Sequence, residues 1–312
     1  MRMILAVLMT TMILLPIQAS AATGLYWDYA RYDSDGIPVE GGVIGHSTPW
    51  NLSSDNATEY SFTQVVEDMP TIVEVYTATW CTNCVTTQDV MNEVIADSDA
   101  ELIHYHSHWF DSLDPFGSDS AEERWESKYG HASALRLSPR DAPTKVVDGE
   151  RFHWGTRPSS ESLASDYEAS FFRGSTAPLS GNFSFSIMQS PYSLMVGWNL
   201  SSISSHAPTG VSIEPWLLLV EDSSHYPDGT NGMQYYEHVL LEAILLESLS
   251  QNYGSATVNL PSLWDGDDLK LVILLDWEIP NQVSDSILPA PGILLLLTSL
   301  VAMSSIRRPR TL

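Results

Sequence analysis

The sequence predicts an α/β domain at residues 70–173, followed by an all-β, sandwich-like domain at residues 175–280. Strand-type and helix-type patterns alternate in the first region, which is typical of an α/β fold. In the second region, short β-rich runs are separated by turns rich in Ser, Pro, Gly and Asn, without helical patterns between them. Such spacing predicts an antiparallel β-sandwich.

The N-terminal residues predict export. Residues 1–21 combine Arg2, an apolar run and the small residues Ala19-Ser20-Ala21, which is the pattern of a cleaved signal peptide. Residues 22–69 are rich in Gly, Ser, Asp, Asn and Pro. They predict a partly ordered N-terminal lead-in, with a short strand or hairpin near residues 37–44.

The α/β region begins with the stretch that holds both cysteines of the chain. Residues 71–77 are dense in β-branched and aromatic residues and predict a buried strand, and a helical pattern follows at residues 83–96. Cys81 thus falls where a strand ends and a helix begins, and the unpaired N–H groups and the helix dipole there favour a thiolate. Cys84 lies one turn further on, close enough to form a disulfide with Cys81.

The remaining elements of this region follow in the order strand, helix, strand, strand, helix. Residues 101–106 predict a strand, and residues 120–129 predict a capped helix that stops at Gly130. The Asp148-Gly149 turn predicts a hairpin, and a last helix is predicted at about residues 160–172. With C-x-x-C after the first strand, this order predicts a thioredoxin-like fold.

Several motifs carry a resemblance to a known family. They are Trp80-Cys81-x-x-Cys84; Val73-Glu74-Val75-Tyr76-Thr77; His106-x-x-x-Phe110-Asp111 with Asp114-Pro115-Phe116; Arg124 and Tyr129; and Ala142-Pro143-x-x-Val146-Val147-Asp148-Gly149. On these motifs, residues 70–155 resemble the thioredoxin superfamily and, within it, a secreted, thioredoxin-like family of bacteria and archaea whose function is largely unassigned. The resemblance implies that Pro143 is a cis-proline that faces the disulfide across a groove.

One position departs from the superfamily pattern. Thioredoxins typically carry a buried Asp six residues before the first cysteine, where this chain has Val75. Glu74 is the neighbour of Val75, but neighbouring side chains of a strand point to opposite faces. The usual proton-transfer carboxylate is therefore missing or relocated, and the dipeptide Thr82-Asn83 leaves the direction of electron flow open.

The residues and the resemblance together predict a thiol–disulfide oxidoreductase that acts on exported proteins with thiols or disulfides. Cys81 is the expected nucleophile, the more exposed of the pair, and Cys84 resolves the mixed disulfide. The other candidate site residues are Trp80, Ala142 and Pro143 for the substrate groove, and His106, Asp111 and Glu74 for tuning the pair. This function needs no cofactor besides the Cys81–Cys84 disulfide. The expected redox partner is either a membrane protein or a soluble protein.

Two other interpretations stay open. His104, His106 and His108 alternate and share one face if the strand continues that far. Imidazoles and thiolates suit copper and zinc, so the first alternative is a metal-handling protein, with Cys81, Cys84, His106 and His108 as ligands. The second is a non-catalytic surface protein in which the pair is a structural disulfide.

Charge and the C-terminal residues bear on location and partners. The chain has 39 acidic and 14 basic residues and a net charge of −25, which argues against nucleic acid and anionic lipid as partners and fits a salty environment.

After a linker at residues 281–288, the apolar segment 289–306 predicts a membrane span or a sorting signal, with the basic tail 307–312 on the cytoplasmic side. The body is therefore expected outside the cytoplasm, anchored at the cell surface.

Overall fold

The β-rich runs of the sequence form two sheets in the computed structural model, which describes residues 26–50, 59–96, 98–109, 114–190, 192–246, 252–265 and 268–280. Its strands are β1 (Asp28–Tyr29), β2 (Gly41–Pro49), β3 (Glu59–Val65), β4 (Thr71–Thr77), β5 (Ala100–His106), β6 (Thr144–Val147), β7 (Arg151–Trp154), β8 (Leu179–Ser190), β9 (Ser193–Ser205), β10 (Ser212–His225), β11 (Tyr235–Leu245), β12 (Tyr253–Asn259) and β13 (Leu269–Glu278). Its helices are α1 (Thr82–Ile95), α2 (Asp119–Ala134) and α3 (Leu163–Arg173), besides a 3₁₀ turn at Val66–Asp68. The predicted signal peptide (1–21), the linker (281–288), the apolar segment (289–306), the basic tail (307–312) and Asp111 lie outside the described residues.

Side-chain caps start the helices. The Ser118 side chain accepts the backbone N–H of Ala121 at the start of α2, and Ser162 accepts that of Ser165 at the start of α3. Cys81 is the N-cap residue of α1, and its side chain accepts the backbone N–H of Cys84. The helices lie on both faces of the sheet, since α2 belongs to the core that contains Tyr76, whereas α1 and α3 belong to the core that contains Val73 and Val75.

The larger sheet has nine strands in the order β1-β7-β6-β4-β5-β11-β10-β13-β2. In it, β4 lies parallel to β5 and antiparallel to β6, so that Val75 has His104 on one side and Lys145 on the other. On its far side, β5 pairs in parallel with β11 through His104 and Val239. The smaller sheet has the order β12-β9-β8-β3 and shares a core with β2, β10 and β13.

The predicted fold class, an α/β thioredoxin-like domain followed by an all-β domain, is wrong. The structure is mostly β: 47% of the residues are in strands and 19% in helices. The strands form a nine-stranded and a four-stranded sheet. Strands from both predicted regions belong to the same sheet, and a single buried core contains Ile103 together with Leu218, Leu240 and Val272. The lead-in adds β2 and β3, which pair with β13 and β8. Sequence patterns indicate which residues form strands, but pairing depends on contacts between distant parts of the chain.

The predicted C-terminal membrane helix concerns residues that the structure does not describe. No helix among the described residues is long and apolar enough to cross a membrane. The apolar segment at 289–306, on which that prediction rests, lies outside those residues.

A buried polar network connects β4, β5, α2 and β13. Its members are Arg31, Glu74, Tyr105, Arg124, Tyr129 and Asp276, joined by hydrogen bonds and ion pairs. Arg124 is central, because its guanidinium lies 3.0 Å from Glu74 Oε1 and 3.4 Å from Asp276 Oδ2. Glu74 is completely buried in this network. Its carboxylate is therefore engaged on the α2 side of the sheet, opposite the face that Val75 presents to α1.

Candidate functional site

Both cysteines lie at the junction of β4 and α1. Cys81 is the N-cap of α1, Cys84 is in its first turn, and their sulfurs form a disulfide. The backbone N–H of Cys84 donates to Cys81 Sγ at 3.1 Å. This N–H group and the helix dipole favour Cys81 as a thiolate when the disulfide is reduced. Both cysteines are only 5% exposed, so the greater exposure expected for Cys81 is not observed.

Two of the predicted groove residues contact or flank this disulfide. Ala142 packs against Ala78, Cys81 and Cys84. The peptide bond between Ala142 and Pro143 is cis. Trp80 directly precedes Cys81 and is 48% exposed. The structure therefore places a solvent-facing indole and the chain before β6 beside the cysteines.

His106 lies at the end of β5 and is buried. Its Nδ1 is 3.1 Å from Asp114 Oδ1, and Asp114 also accepts the backbone N–H groups of Thr79 and Phe116. Burial opposes ionisation of Asp114, but the hydrogen bonds from His106, Thr79 and Phe116 outweigh it and lower the pKa of this carboxyl. From the sequence, Asp111 is the candidate for the carboxylate that orients His106. In the structure Asp114 is hydrogen-bonded to His106, and its Asp114-Pro115-Phe116 motif could have indicated it.

A cavity of about 230 Å³ adjoins Cys84. It is lined among others by Cys84, Gln88, His104, His106, Asn231 and Tyr236. The Nε2 atoms of His104 and His106 are buried and have no hydrogen-bond partner within the described residues. Burial, followed by the nearby His238, His106 and Lys145, holds the pKa of His104 well below its usual range.

The loop between β10 and β11 packs against the backbone that precedes the disulfide. The N–H groups of Thr230 and Asn231 donate to the carbonyl of Thr79 at 3.0 and 3.1 Å. The Asn231 side chain also donates to the carbonyl of Ala78, at 3.4 Å. Asn231 and Ala78 are 153 positions apart in the sequence, and the loop carries no motif, so sequence reasoning missed this contact.

Lys145 is a second residue that sequence reasoning missed. It lies on β6 beside Val75, and its Nζ donates to Thr87 Oγ1 of α1 at 2.6 Å. Burial lowers the pKa of Lys145 from 10.5 to about 7. A buried lysine between sheet and helix has no local sequence signal beyond its β-type surroundings.

We expect Lys145 to make stability depend on pH. Between pH 7 and about 10 the unfolded chain binds a proton at this lysine that the folded chain does not bind, so the free energy of unfolding rises with pH, by up to about 1.4 kcal/mol per pH unit. Urea unfolding of the wild type and of Lys145→Met at pH 7 and 9.5 measures this. The variant should lose most of the rise, whereas Lys128→Met, which removes an ion-paired lysine of α2, should keep it. Equal pH dependence in the wild type and Lys145→Met would contradict the assignment.

The alternative metal ligands do not come together in this disulfide form. Within the described ranges, the one group of three possible ligand residues whose atoms lie within 4.8 Å of one another is Glu221, Asp265 and Asp268. Cys81, Cys84, His106 and His108 form no such group there. The Glu221 carboxylate accepts the backbone N–H groups of Trp264 and Asp265, which explains its burial without an ion.

Comparison with known proteins yields no family. No family model matches the chain, and no curated protein matches it. Two solved structures are similar in part. Protein AGR_C_4864 from Agrobacterium tumefaciens is 14% identical with a TM-score of 0.39, over 69% of this chain and 96% of that one. HBP35 of Porphyromonas gingivalis is 14% identical with a TM-score of 0.42, over 72% of this chain and 80% of that one. Similarity at this level carries no argument about function.

Proposed function

We propose that this protein is a thiol–disulfide oxidoreductase that acts outside the cytoplasm on the thiols or disulfides of exported proteins. The observation that carries the proposal is the Cys81–Cys84 disulfide at the N-terminus of α1. A helix N-terminus is where a cysteine thiolate is stabilised, and a second cysteine one turn away can resolve a mixed disulfide. The sequence resemblance of residues 70–155 to the thioredoxin superfamily supports the same chemistry.

The two cysteines have different roles in this reaction. The Cys81 thiolate, which accepts the N–H of Cys84, attacks one sulfur of a substrate disulfide and releases the other as a thiolate. Cys84 then attacks Cys81 Sγ, re-forms the internal disulfide and releases the second substrate thiolate. Two electrons pass from the protein dithiol to the substrate. The same steps in reverse oxidise a substrate dithiol, so one site serves either direction.

The surroundings of the disulfide suit a polypeptide substrate. Trp80 exposes apolar surface directly beside Cys81, and Ala142 packs against the cluster that holds both cysteines. Exposed aromatic surface next to a reactive group is typical of a binding surface. We assign Trp80, Ala142 and Pro143 to substrate contact.

The reduction potential of the Cys81–Cys84 pair tests the proposal. Purified protein is equilibrated with glutathione or dithiothreitol buffers, and the oxidised fraction is measured by thiol alkylation. A value between about −120 and −270 mV is expected, because exchange-active dithiols fall in this range. A value below about −300 mV would identify a structural disulfide and would remove the proposed function.

A further inference from the structure

One histidine that lines the cavity beside Cys84 has a ring nitrogen without a hydrogen-bond partner among the described residues. His106 Nε2 is buried and makes no hydrogen bond within the described residues, and His106 lines the cavity together with Cys84. A buried nitrogen without a partner costs free energy that a cavity water or a polar hydrogen would recover. His106 and Cys84 both line this cavity, whose volume of about 230 Å³ is large enough to hold water.

Asp114 determines which nitrogen of His106 carries the proton. Its Oδ1 lies 3.1 Å from His106 Nδ1, and this carboxyl has a lowered pKa. An ionised carboxylate can only accept a hydrogen bond, so Nδ1 carries a hydrogen, and in the neutral ring Nε2 is then the nitrogen with the lone pair. The order thiol, imidazole and orienting carboxylate is the arrangement that activates a nucleophile.

We propose that His106 Nε2, oriented by Asp114, accepts the proton of the Cys84 thiol, through cavity water, during resolution of the mixed disulfide. This inference rests on the proposed function. The Cys84 S–H bond breaks and its proton moves to Nε2. The Cys84 thiolate then attacks Cys81 Sγ, the internal disulfide forms, the bond to the substrate sulfur breaks, and the substrate thiolate leaves. In the opposite direction, the imidazolium returns the proton to Cys84 as the internal disulfide opens.

Other groups near the cavity are less suited to this step. Among the described residues, the titratable groups that line the cavity or contact His106 are Asp114, His104, Tyr235, Tyr236, Cys84, Asp89 and Glu237. His104 resists protonation because it is buried among His238, His106 and Lys145. The pKa of Tyr236 is raised to about 12, chiefly by burial, and the Asp89 and Glu237 residues are exposed to solvent. Glu74 is held by Tyr105 and Arg124.

The test separates the two chemical steps with dithiobis-nitrobenzoate, an aromatic disulfide that releases a coloured thiolate at each step. Reduced full-length protein is mixed with the reagent in a stopped-flow instrument. The first phase reports attack by Cys81, and the second reports resolution by Cys84. In His106→Gln the first phase should keep its rate, and the second should slow by about 10²-fold at pH 7. The loss should shrink toward pH 9, because the Cys84 thiol then ionises to solvent unaided.

His104→Gln is the matched control, because His104 is also buried and lines the same cavity. Among the described residues its Nε2 likewise has no hydrogen-bond partner, and no carboxylate there is hydrogen-bonded to its ring. It should leave both phases unchanged. An unchanged second phase in His106→Gln, or an equal loss in His104→Gln, overturns the role of His106. If the first phase in the wild type is no faster than the reaction of a free thiol with the reagent, the proposed function is wrong, and this inference fails with it.

The tautomer of His106 gives a test in the wild-type protein, should the variant not fold. Nitrogen-15 NMR of the reduced protein, recorded where the ring is neutral, should show a hydrogen on Nδ1 and a lone pair on Nε2. A hydrogen on Nε2 of the neutral ring would overturn the proposal, because that nitrogen could not accept a proton.

Discussion

Replacing Cys81 with serine should abolish thiol–disulfide exchange, whereas replacing Cys84 should trap the substrate on the protein. Without Cys81 no sulfur occupies the N-cap of α1, where the backbone N–H of Cys84 and the helix dipole favour the thiolate. Without Cys84 the mixed disulfide forms and cannot be resolved internally. Insulin disulfide reduction with dithiothreitol as electron donor measures exchange. Mass spectrometry of the pre-reduced Cys84 variant, mixed with insulin after dithiothreitol is removed, measures the protein–substrate adduct.

Thr82→Ser is the control for these variants, since it changes the exposed residue next to Cys81 and leaves both sulfurs in place. It should keep reduction within about twofold of the wild type, on the expectation that a surface change away from special features has little effect. Full insulin reduction by Cys81→Ser would contradict the proposed nucleophile. An adduct on Cys84 in that variant, at the wild-type rate, would exchange the roles of the two cysteines.

Replacing Arg124 with methionine should destabilise the fold by about 3–5 kcal/mol. The change removes the guanidinium between Glu74 and Asp276 and leaves Glu74, which is completely buried, without its cation. An unpaired buried carboxylate is costly even though the intact ion pair contributes little net stability. Chemical denaturation followed by tryptophan fluorescence measures the free energy of unfolding of both proteins.

Arg136→Met is the matched control, because it removes an arginine from a partly exposed ion pair with Asp28. Such surface pairs contribute at most about 1 kcal/mol. If Arg124→Met unfolds at the same denaturant concentration as Arg136→Met, the network around Glu74 does not control stability. If Glu74→Gln in the Arg124→Met background recovers part of the loss, the unpaired charge is its cause.

Elements with local signals were predictable from the sequence. The predicted strand at 71–77 is β4, and the predicted helix at 83–96 is α1, displaced by one residue. The hairpin at Asp148-Gly149 forms between β6 and β7, and both residues have the positive φ that this turn requires. The predicted stop at Gly130 is wrong, because α2 continues to Ala134 and buries Ala132 and Ser133. Packing against the body outweighs the helix-breaking tendency of one glycine.

Features that depend on distant contacts were not predictable. The cysteine pair, the cis-proline and His106 are recognisable from motifs, whereas Lys145 and the loop that holds Asn231 are not. The bridge between His104 and Val239 joins strands that have no common sequence signal. Because β5 pairs with β11 and β2 pairs with β13, strands from the lead-in and from both predicted domains form one sheet.

The connection of β5 to β11 bears on how such a protein can evolve by gene fusion. A fused fragment that carried only residues 70–173 would expose the outer edge of β5 and leave the carbonyl of Thr79 without the donors that Thr230 and Asn231 supply. The cysteine pair is therefore not a portable module. We expect descendants of this chain to inherit or lose the cysteine-bearing strands and the later β-strands together.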